Sequence, residues 1–315
     1  MTAENTTPKL ATAGDYVELL KPRIMMLVVF TALAGLVAAT GVTGQGINPV
    51  LATVAILAVA LGSGAAGAIN MWYDADIDAV MTRTSTRPIP SGAVPKDEAL
   101  TLGIIMSAVS VLLMWISTNV LAAGLLALSI VYYGWFYTMV LKRRTAQNIV
   151  IGGAAGAFPP VIGWAAVTGT TPLDAWILFA IIFFWPPPHF WALSLVAHKE
   201  YEKAGVPMLP VTQGAKATRN QILLYTIILA PIGLAPLATG LGGWVYGVVA
   251  AALTLVFMYF AAKVWRSEAG EPDAGAAERK LAMSMFAFSI LYLFGLFAAL
   301  IIERGFGLYF PLGGA

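Results

Sequence analysis

The chain has 315 residues, of which 59% are hydrophobic and only 11% charged, with a mean hydropathy of +0.81 and a formal net charge of +2. A soluble domain carries about 25% charged residues, so the composition excludes one and defines an integral membrane protein, for which no nucleic-acid partner is expected. With no cysteine, disulfides, thiolate metal sites and haem attachment through a C-x-x-C-H motif are excluded as well.

Residues 1–22 are polar. Asp15 and Glu18, and the absence of arginine before Arg23, argue against a mitochondrial transit peptide. The segment is expected to be a cytoplasmic lead-in with a short amphipathic helix around Asp15–Leu20. Beyond it, a helix needs about 20 apolar residues to cross about 30 Å of hydrocarbon. Nine such runs occur, at roughly 23–42, 49–73, 98–116, 120–141, 148–168, 173–195, 221–240, 243–265 and 281–302. The predicted fold class is therefore an all-α polytopic membrane protein with nine transmembrane helices. One transmembrane domain covers 23–302, and 303–315 forms a tail.

Charge sets the orientation. Under nine spans every lysine and arginine except Arg304 falls on one side. The positive-inside rule makes that side cytoplasmic and the C-terminal tail extracytoplasmic, in a bacterial cytoplasmic membrane. Two cytoplasmic loops are long and rich in charge, 74–97 and 196–220. Each leaves through prolines, Arg87-Pro-Ile-Pro-Ser-Gly92 in one and Pro207-Met-Leu-Pro210 in the other. Their four-span separation reads as a weak internal duplication, a pattern transporters also show.

The second span runs into Asn70-Met-Trp-Tyr-Asp-Ala-Asp-Ile-Asp78. If the helix continues, Asn70, Asp74 and Asp78 share one face, with successive members about 6 Å apart, and Asp76 points elsewhere. Carboxylates so close repel unless a cation joins them, and an all-oxygen set suits magnesium or calcium, of which magnesium completes its shell with water and phosphate. The alternative is a solvated helix end paired to Arg83 and Arg87. Arg83, Arg87, Lys142 and Arg143 are candidate diphosphate contacts, because arginine and lysine both bind phosphate oxygens; otherwise they serve as topology determinants. In His198-Lys199-Glu200-Tyr201-Glu202-Lys203, Glu200 is a candidate further metal ligand and Lys199 or Lys203 a candidate phosphate contact, or the stretch is a charged turn. His189 lies in Trp185-Pro-Pro-Pro-His-Phe-Trp191 inside an apolar span. It reads as a haem ligand, a proton carrier or a packed polar group. Trp72, Tyr73 and Trp191 are candidates to stabilise positive charge through their rings. No Walker-type phosphate loop, HExxH motif or arginine-rich voltage-sensor helix is present.

These residues resemble the UbiA superfamily of intramembrane prenyltransferases, and within it the haem-farnesylating branch. The resemblance rests on Asn70/Asp74/Asp78 with Arg83-Thr84 and Arg87-Pro-Ile-Pro-Ser-Gly92; on Tyr137-Thr-x-x-Leu-Lys142-Arg-Arg-Thr145; and on Gly152-Gly-Ala-Ala-Gly-Ala-Phe-Pro-Pro160. The haem branch is selected by Pro188-His-Phe-Trp-Ala-Leu193 and Ala204-Gly-Val-Pro-Met-Leu-Pro-Val211. Haem-type members commonly carry aspartate before the tyrosine where this chain has Glu200-Tyr201. The resemblance implies nine helices around a central cavity capped by the two motif loops, and transfer of farnesyl from farnesyl diphosphate to a vinyl group of haem B, giving haem O. It implies Mg2+ on Asn70, Asp74 and Asp78 with Glu200. Asp74, Asp78, Arg83 and Lys142 take catalytic roles. Arg83, Arg87, Lys142, Arg143 and Lys199 hold the diphosphate, and His189 and Trp191 meet the haem. Haem A synthase or assembly proteins of haem–copper oxidases are possible partners beside the lipid bilayer. Rival readings are a prenyltransferase for another aromatic or tetrapyrrole acceptor, a secondary transporter, and a non-catalytic oxidase assembly factor.

Overall fold

The computed structural model describes residues 11–311, which hold only helices and turns. A short helix, α1 (Ala13–Leu19), comes first. Thr12 caps it by accepting from the Asp15 backbone N–H, while the Asp15 carboxylate accepts from the Thr12 N–H, a reciprocal box that satisfies two orphan donors. It lies where an amphipathic helix was expected.

The long helices follow: α2 (Pro22–Thr43), α3 (Pro49–Tyr73), the one-and-a-half-turn α4 (Ala75–Val80), α5 (Lys96–Ser117) and α6 (Val120–Val131). α6 continues without a break into a π-helical segment, Tyr132–Leu141. Then come α7 (Asn148–Thr168), α8 (Leu173–Phe184), α9 (Pro186–Lys203), α10 (Leu209–Thr239), α11 (Trp244–Arg266) and α12 (Ala276–Gly305). Taking α6 with its π segment and α8 with α9 as single crossings, the described residues give nine spans long and apolar enough to cross a membrane. The chain is a multi-pass membrane protein. Its exterior carries exposed Leu57, Trp115, Ile116, Leu255 and Phe294, as a lipid-facing surface requires.

Small residues let the helices approach closely. A Cβ on Gly163 would stand 2.0 Å from the Ala32 carbonyl oxygen, and one on Gly35 would stand 2.1 Å from that of Pro160, so α2 and α7 cross with backbones nearly touching. Two large buried cores and two smaller ones result. One large core, around Trp164, Ile181, Trp191, Tyr292 and Phe297, joins α7 to α12. The other large core, around Val59, Met114, Leu126 and Ile162, joins α3, α5, α6 and α7.

The loop boundaries differ from expectation at 196–220. α9 runs on to Lys203 and α10 begins at Leu209, leaving only 204–208 irregular. Helical hydrogen bonding does not stop where hydropathy does, and His198-Lys-Glu-Tyr-Glu-Lys203 consists largely of good helix formers. Gly214, at φ 83°, ψ 169°, kinks the extension before the apolar part of α10. The three prolines 186–188 open α9, where their missing N–H groups would be unpaired in any case. The two motif segments pack together: Ile77 and Met81 of the first meet Val206 and Met208 of the second, with Ile149 and Tyr201 beside them.

Candidate active site

The helix of the second span does continue past its apolar part. Asp74 sits between α3 and α4 at φ −86°, ψ 8°, yet its N–H donates to the Asn70 carbonyl at 2.9 Å and the Asp78 N–H donates to the Asp74 carbonyl at 2.8 Å. Asn70, Asp74 and Asp78 therefore share one face, and all are buried, at 3%, 0% and 3% exposure. That burial is not that of a solvated helix end, although Asp78 does pair with Arg87 as that alternative has it. Asp76 turns away to the surface.

Both buried carboxylates meet a cation, that of Asp74 from a distant segment and that of Asp78 from its own loop. Lys142 Nζ bonds Asp74 Oδ2, and Arg87 Nη1 bonds Asp78 Oδ2 at 2.7 Å. Arg143 forks onto Asp76 with two 2.7 Å bonds, donates to the Tyr73 carbonyl at 3.1 Å, and stands 3.6 Å from Asp74 Oδ1. This bidentate bond holds the Asp76 carboxyl down at about 2. Arg83 is exposed at the rim, with its guanidinium beside the Tyr201 hydroxyl, a second link between the motif segments.

The π segment brings Lys142 into place. The Lys142 N–H reaches back five residues to the Tyr137 carbonyl, and Thr138 Oγ1 accepts from Asn70 Nδ2 at 2.9 Å. Such segments often mark functional sites because they shift side-chain register locally. Asn70 Nδ2 also donates to Asp74 Oδ2 at 2.9 Å, while Asn70 Oδ1 accepts from Lys21 Nζ. Lys21 and Thr138 were not singled out from the sequence. Thr138 lies inside a quoted motif, and Lys21 read as a topology charge. Burial, with Arg87 and Lys142 nearby, pulls the Lys21 ammonium down to about 7 against the opposing pull of Asp74 and Asp78.

Magnesium fits this donor set in one respect that the structure displays. Asp74 Oδ1 is buried without a hydrogen-bond partner, a costly state for a carboxylate oxygen unless a cation completes it. Asn70 Oδ1 and one oxygen each of Asp74 and Asp78 are engaged by the protein's own cations. Glu200 is partly buried near the end of α9, and Lys199 beside it is exposed. Among the described residues no three His, Cys, Asp or Glu side chains group to hold an ion, so Glu200 is not drawn in with Asp74 and Asp78.

His189 is buried in the middle of the eighth and ninth helices' crossing. Its ring stacks between Trp185 and Phe286, at centroid distances of 4.2 and 4.4 Å, and its Nδ1 lies 2.6 Å from Ser289 Oγ on α12. Trp191 is fully buried, edge-on to Tyr225 at 5.3 Å, and its Nε1 has no partner. The rings of Trp72 and Tyr73 face Lys96 and Arg143, so both are already covered by cations of the protein.

The fold and this arrangement define an intramembrane prenyltransferase: residues 28–290 match the UbiA prenyltransferase family, and the chain belongs to it. It is 71% identical, over 100% of its length and 99% of the relative's, to the protoheme IX farnesyltransferase of Hyphomonas neptunium. Among solved structures, it superposes on a digeranylgeranylglyceryl phosphate synthase with a TM-score of 0.74 at 17% identity, covering 92% of this chain and 98% of that one. A UbiA homologue from Archaeoglobus fulgidus, bound to DMAPP and Mg2+, superposes with a TM-score of 0.66 at 17% identity over 91% and 99%.

Proposed function

We propose that this chain transfers the farnesyl group of farnesyl diphosphate to a vinyl group of haem B, with water adding to give haem O and diphosphate leaving. The reading is carried by the buried, charge-paired cluster at the end of α3, whose cations are supplied by three separate segments. The haem acceptor and the farnesyl donor are supported by the name of the Hyphomonas neptunium relative at 71% identity.

Asp74 and Asp78, with Asn70, would hold Mg2+, which when bound supplies positive charge against the diphosphate oxygens, while Glu200 on α9 is not grouped with them. Lys142 and Arg87 stand on the same carboxylates and are placed to contact the diphosphate, with Arg143, Arg83 and Lys199 around the rim. As the carbon–oxygen bond to farnesyl breaks, negative charge grows on the departing oxygen. Preorganised cations aimed there stabilise the transition state, typically by about 3–4 kcal/mol for one such donor. The vinyl carbon forms the new bond to the farnesyl carbon, and water then captures the cation left on the porphyrin side and gives up its proton. The apolar bundle keeps water from the allylic cation until the carbon–carbon bond forms. His189 is assigned to the haem, with Trp191 beside it.

The protein sits in the bacterial cytoplasmic membrane with α1 and the motif segments on the cytoplasmic side and the end of α12 outside, as the placement of lysine and arginine directs. Haem O then passes to a haem A synthase or an oxidase assembly protein. The test is mass analysis of haem after purified protein in lipid vesicles is incubated with farnesyl diphosphate, haem B and Mg2+. A product heavier than haem B by one farnesyl group and one hydroxyl supports the reading. Unmodified haem B alongside conversion of a different ring acceptor overturns it.

A further inference from the structure

Lys21 is the one non-glycine residue of the described chain with a left-handed backbone, φ 52° and ψ 61°. L side chains adopt that region at a cost, so something must hold the turn. Close approach to α3 does so: a Cβ on Gly64 would stand 3.1 Å from Leu20 Cβ, and one on Gly67 would stand 3.3 Å from the Leu19 carbonyl oxygen. Leu19, with no exposed surface, anchors the turn among Ala68, Met71, Val94 and Ala99. Two glycines and one strained residue thus fix where a single side chain goes.

That side chain does not stay at the exposed surface, as Arg23 does two residues later. It turns inward and donates from Nζ to Asn70 Oδ1. The acceptor is a neutral amide, while the nearby carboxylates of Asp74 and Asp78 are bonded to Lys142 and Arg87. An ammonium brought beside two other cations and given no carboxylate of its own does not serve an ion pair of the fold. Its position suits a polyanion arriving at the same place.

We propose that Lys21 is a diphosphate-binding residue of this site, which leaves the Asn70 oxygen and joins Lys142 and Arg87 on the leaving group. The inference rests on the reading that the site takes a prenyl diphosphate. Its test is calorimetric titration of the full-length protein in detergent micelles with inorganic diphosphate in the presence of Mg2+. The informative variant is Lys21→Asn, because asparagine tolerates the left-handed region and keeps the turn while removing the charge. The dissociation constant is expected to rise at least fivefold in Lys21→Asn and to return to within twofold of the parent protein in Lys21→Arg, with haem B affinity and melting temperature unchanged. A rise of less than fivefold overturns the proposal. So does a fall in haem affinity and melting temperature in Lys21→Asn, which would show that lysine acts through the turn. Failure of the unaltered protein to bind diphosphate would instead overturn the parent reading.

Discussion

The Lys142–Asp74 pair gives the sharpest test of the cluster. Asp74 has no exposed side-chain surface and Lys142 has 19%. Replacing Lys142 with methionine leaves Asp74 with one hydrogen bond, from Asn70 Nδ2 at 2.9 Å, and the Arg143 guanidinium 3.6 Å away. Removing one partner of a buried ion pair costs about 3–5 kcal/mol. The partial exposure of Lys142 and the nearness of Arg143 place this case at the low end, about 3 kcal/mol. At roughly 2 °C per kcal/mol for a chain of this size, the melting midpoint in detergent micelles should fall by about 6 °C. Adding Asp74→Asn to Lys142→Met removes the uncompensated charge and should recover most of the loss, because deleting both partners costs far less than deleting one. The coupling from the four-protein cycle should therefore exceed about 2 kcal/mol. Mg2+ should raise the midpoint of Lys142→Met, whose carboxylate is left unneutralised, and leave that of the double variant unmoved. Additivity within about 0.5 kcal/mol, or a Mg2+ effect equal in all four proteins, would refute the account of Asp74 as a buried anion waiting on cations.

Other expectations follow from single contacts. Asp74→Ala or Asp78→Ala should lower haem O formation by about 100-fold or more, since each removes a group that holds the neutralising cations in place; initial rates at saturating haem would show it. Arg143→Ala should cost less than about 1 kcal/mol of stability, because its pair with Asp76 is on the surface, yet raise the KM for farnesyl diphosphate several-fold with the KM for haem unchanged. A Gly163→Leu substitution drives a side chain into the Ala32 carbonyl, where a Cβ alone would stand 2.0 Å away. It should abolish the folded, monodisperse protein on size-exclusion chromatography, overpacking of this kind costing about 1–3 kcal/mol or more. His189→Ala should weaken haem B binding at least tenfold in a Soret titration, and an affinity within twofold of the unaltered protein would remove His189 from the haem site.

The nine crossings were legible because a bilayer demands about 20 apolar residues per helix, and a run of that length has few other uses. The face shared by Asn70, Asp74 and Asp78 was legible from spacing alone, since four residues return a helix to nearly the same direction. Helix ends were less so: α10 begins at Leu209 instead of 221, because the backbone gains its hydrogen bonds whether or not the side chains are apolar. The π segment left no compositional mark. Tyr132 to Leu141 is rich in aromatic residues, but aromatics occur in ordinary helices too, and a five-residue hydrogen-bond step shows only in coordinates. Arg87 was legible as a partner of the acidic helix end, nine residues from Asp78, but the long-range contacts were hidden, for they bridge 68 residues in Lys142–Asp74 and 49 in Lys21–Asn70.

That pairing bears on how the site works. With Lys21 fully protonated, Lys21, Arg87, Lys142 and Arg143 outnumber Asp74, Asp76 and Asp78 by one charge, and with Lys21 pulled down to about 7 the excess is smaller, so the cluster is close to balanced before any ligand arrives. Near balance is what lets four cations and three carboxylates sit together at the membrane boundary, where unpaired charge is expensive. A prenyl diphosphate carrying one divalent ion bears about one net negative charge, and it would meet a pocket at most one charge positive. Were Mg2+ held by the carboxylates, lysine and arginine would be free to turn from carboxylate to phosphate oxygens. On that account, the orphaned Asp74 oxygen and the amide-bound Lys21 are two halves of one preparation, an acceptor held for the metal and a donor held for the diphosphate.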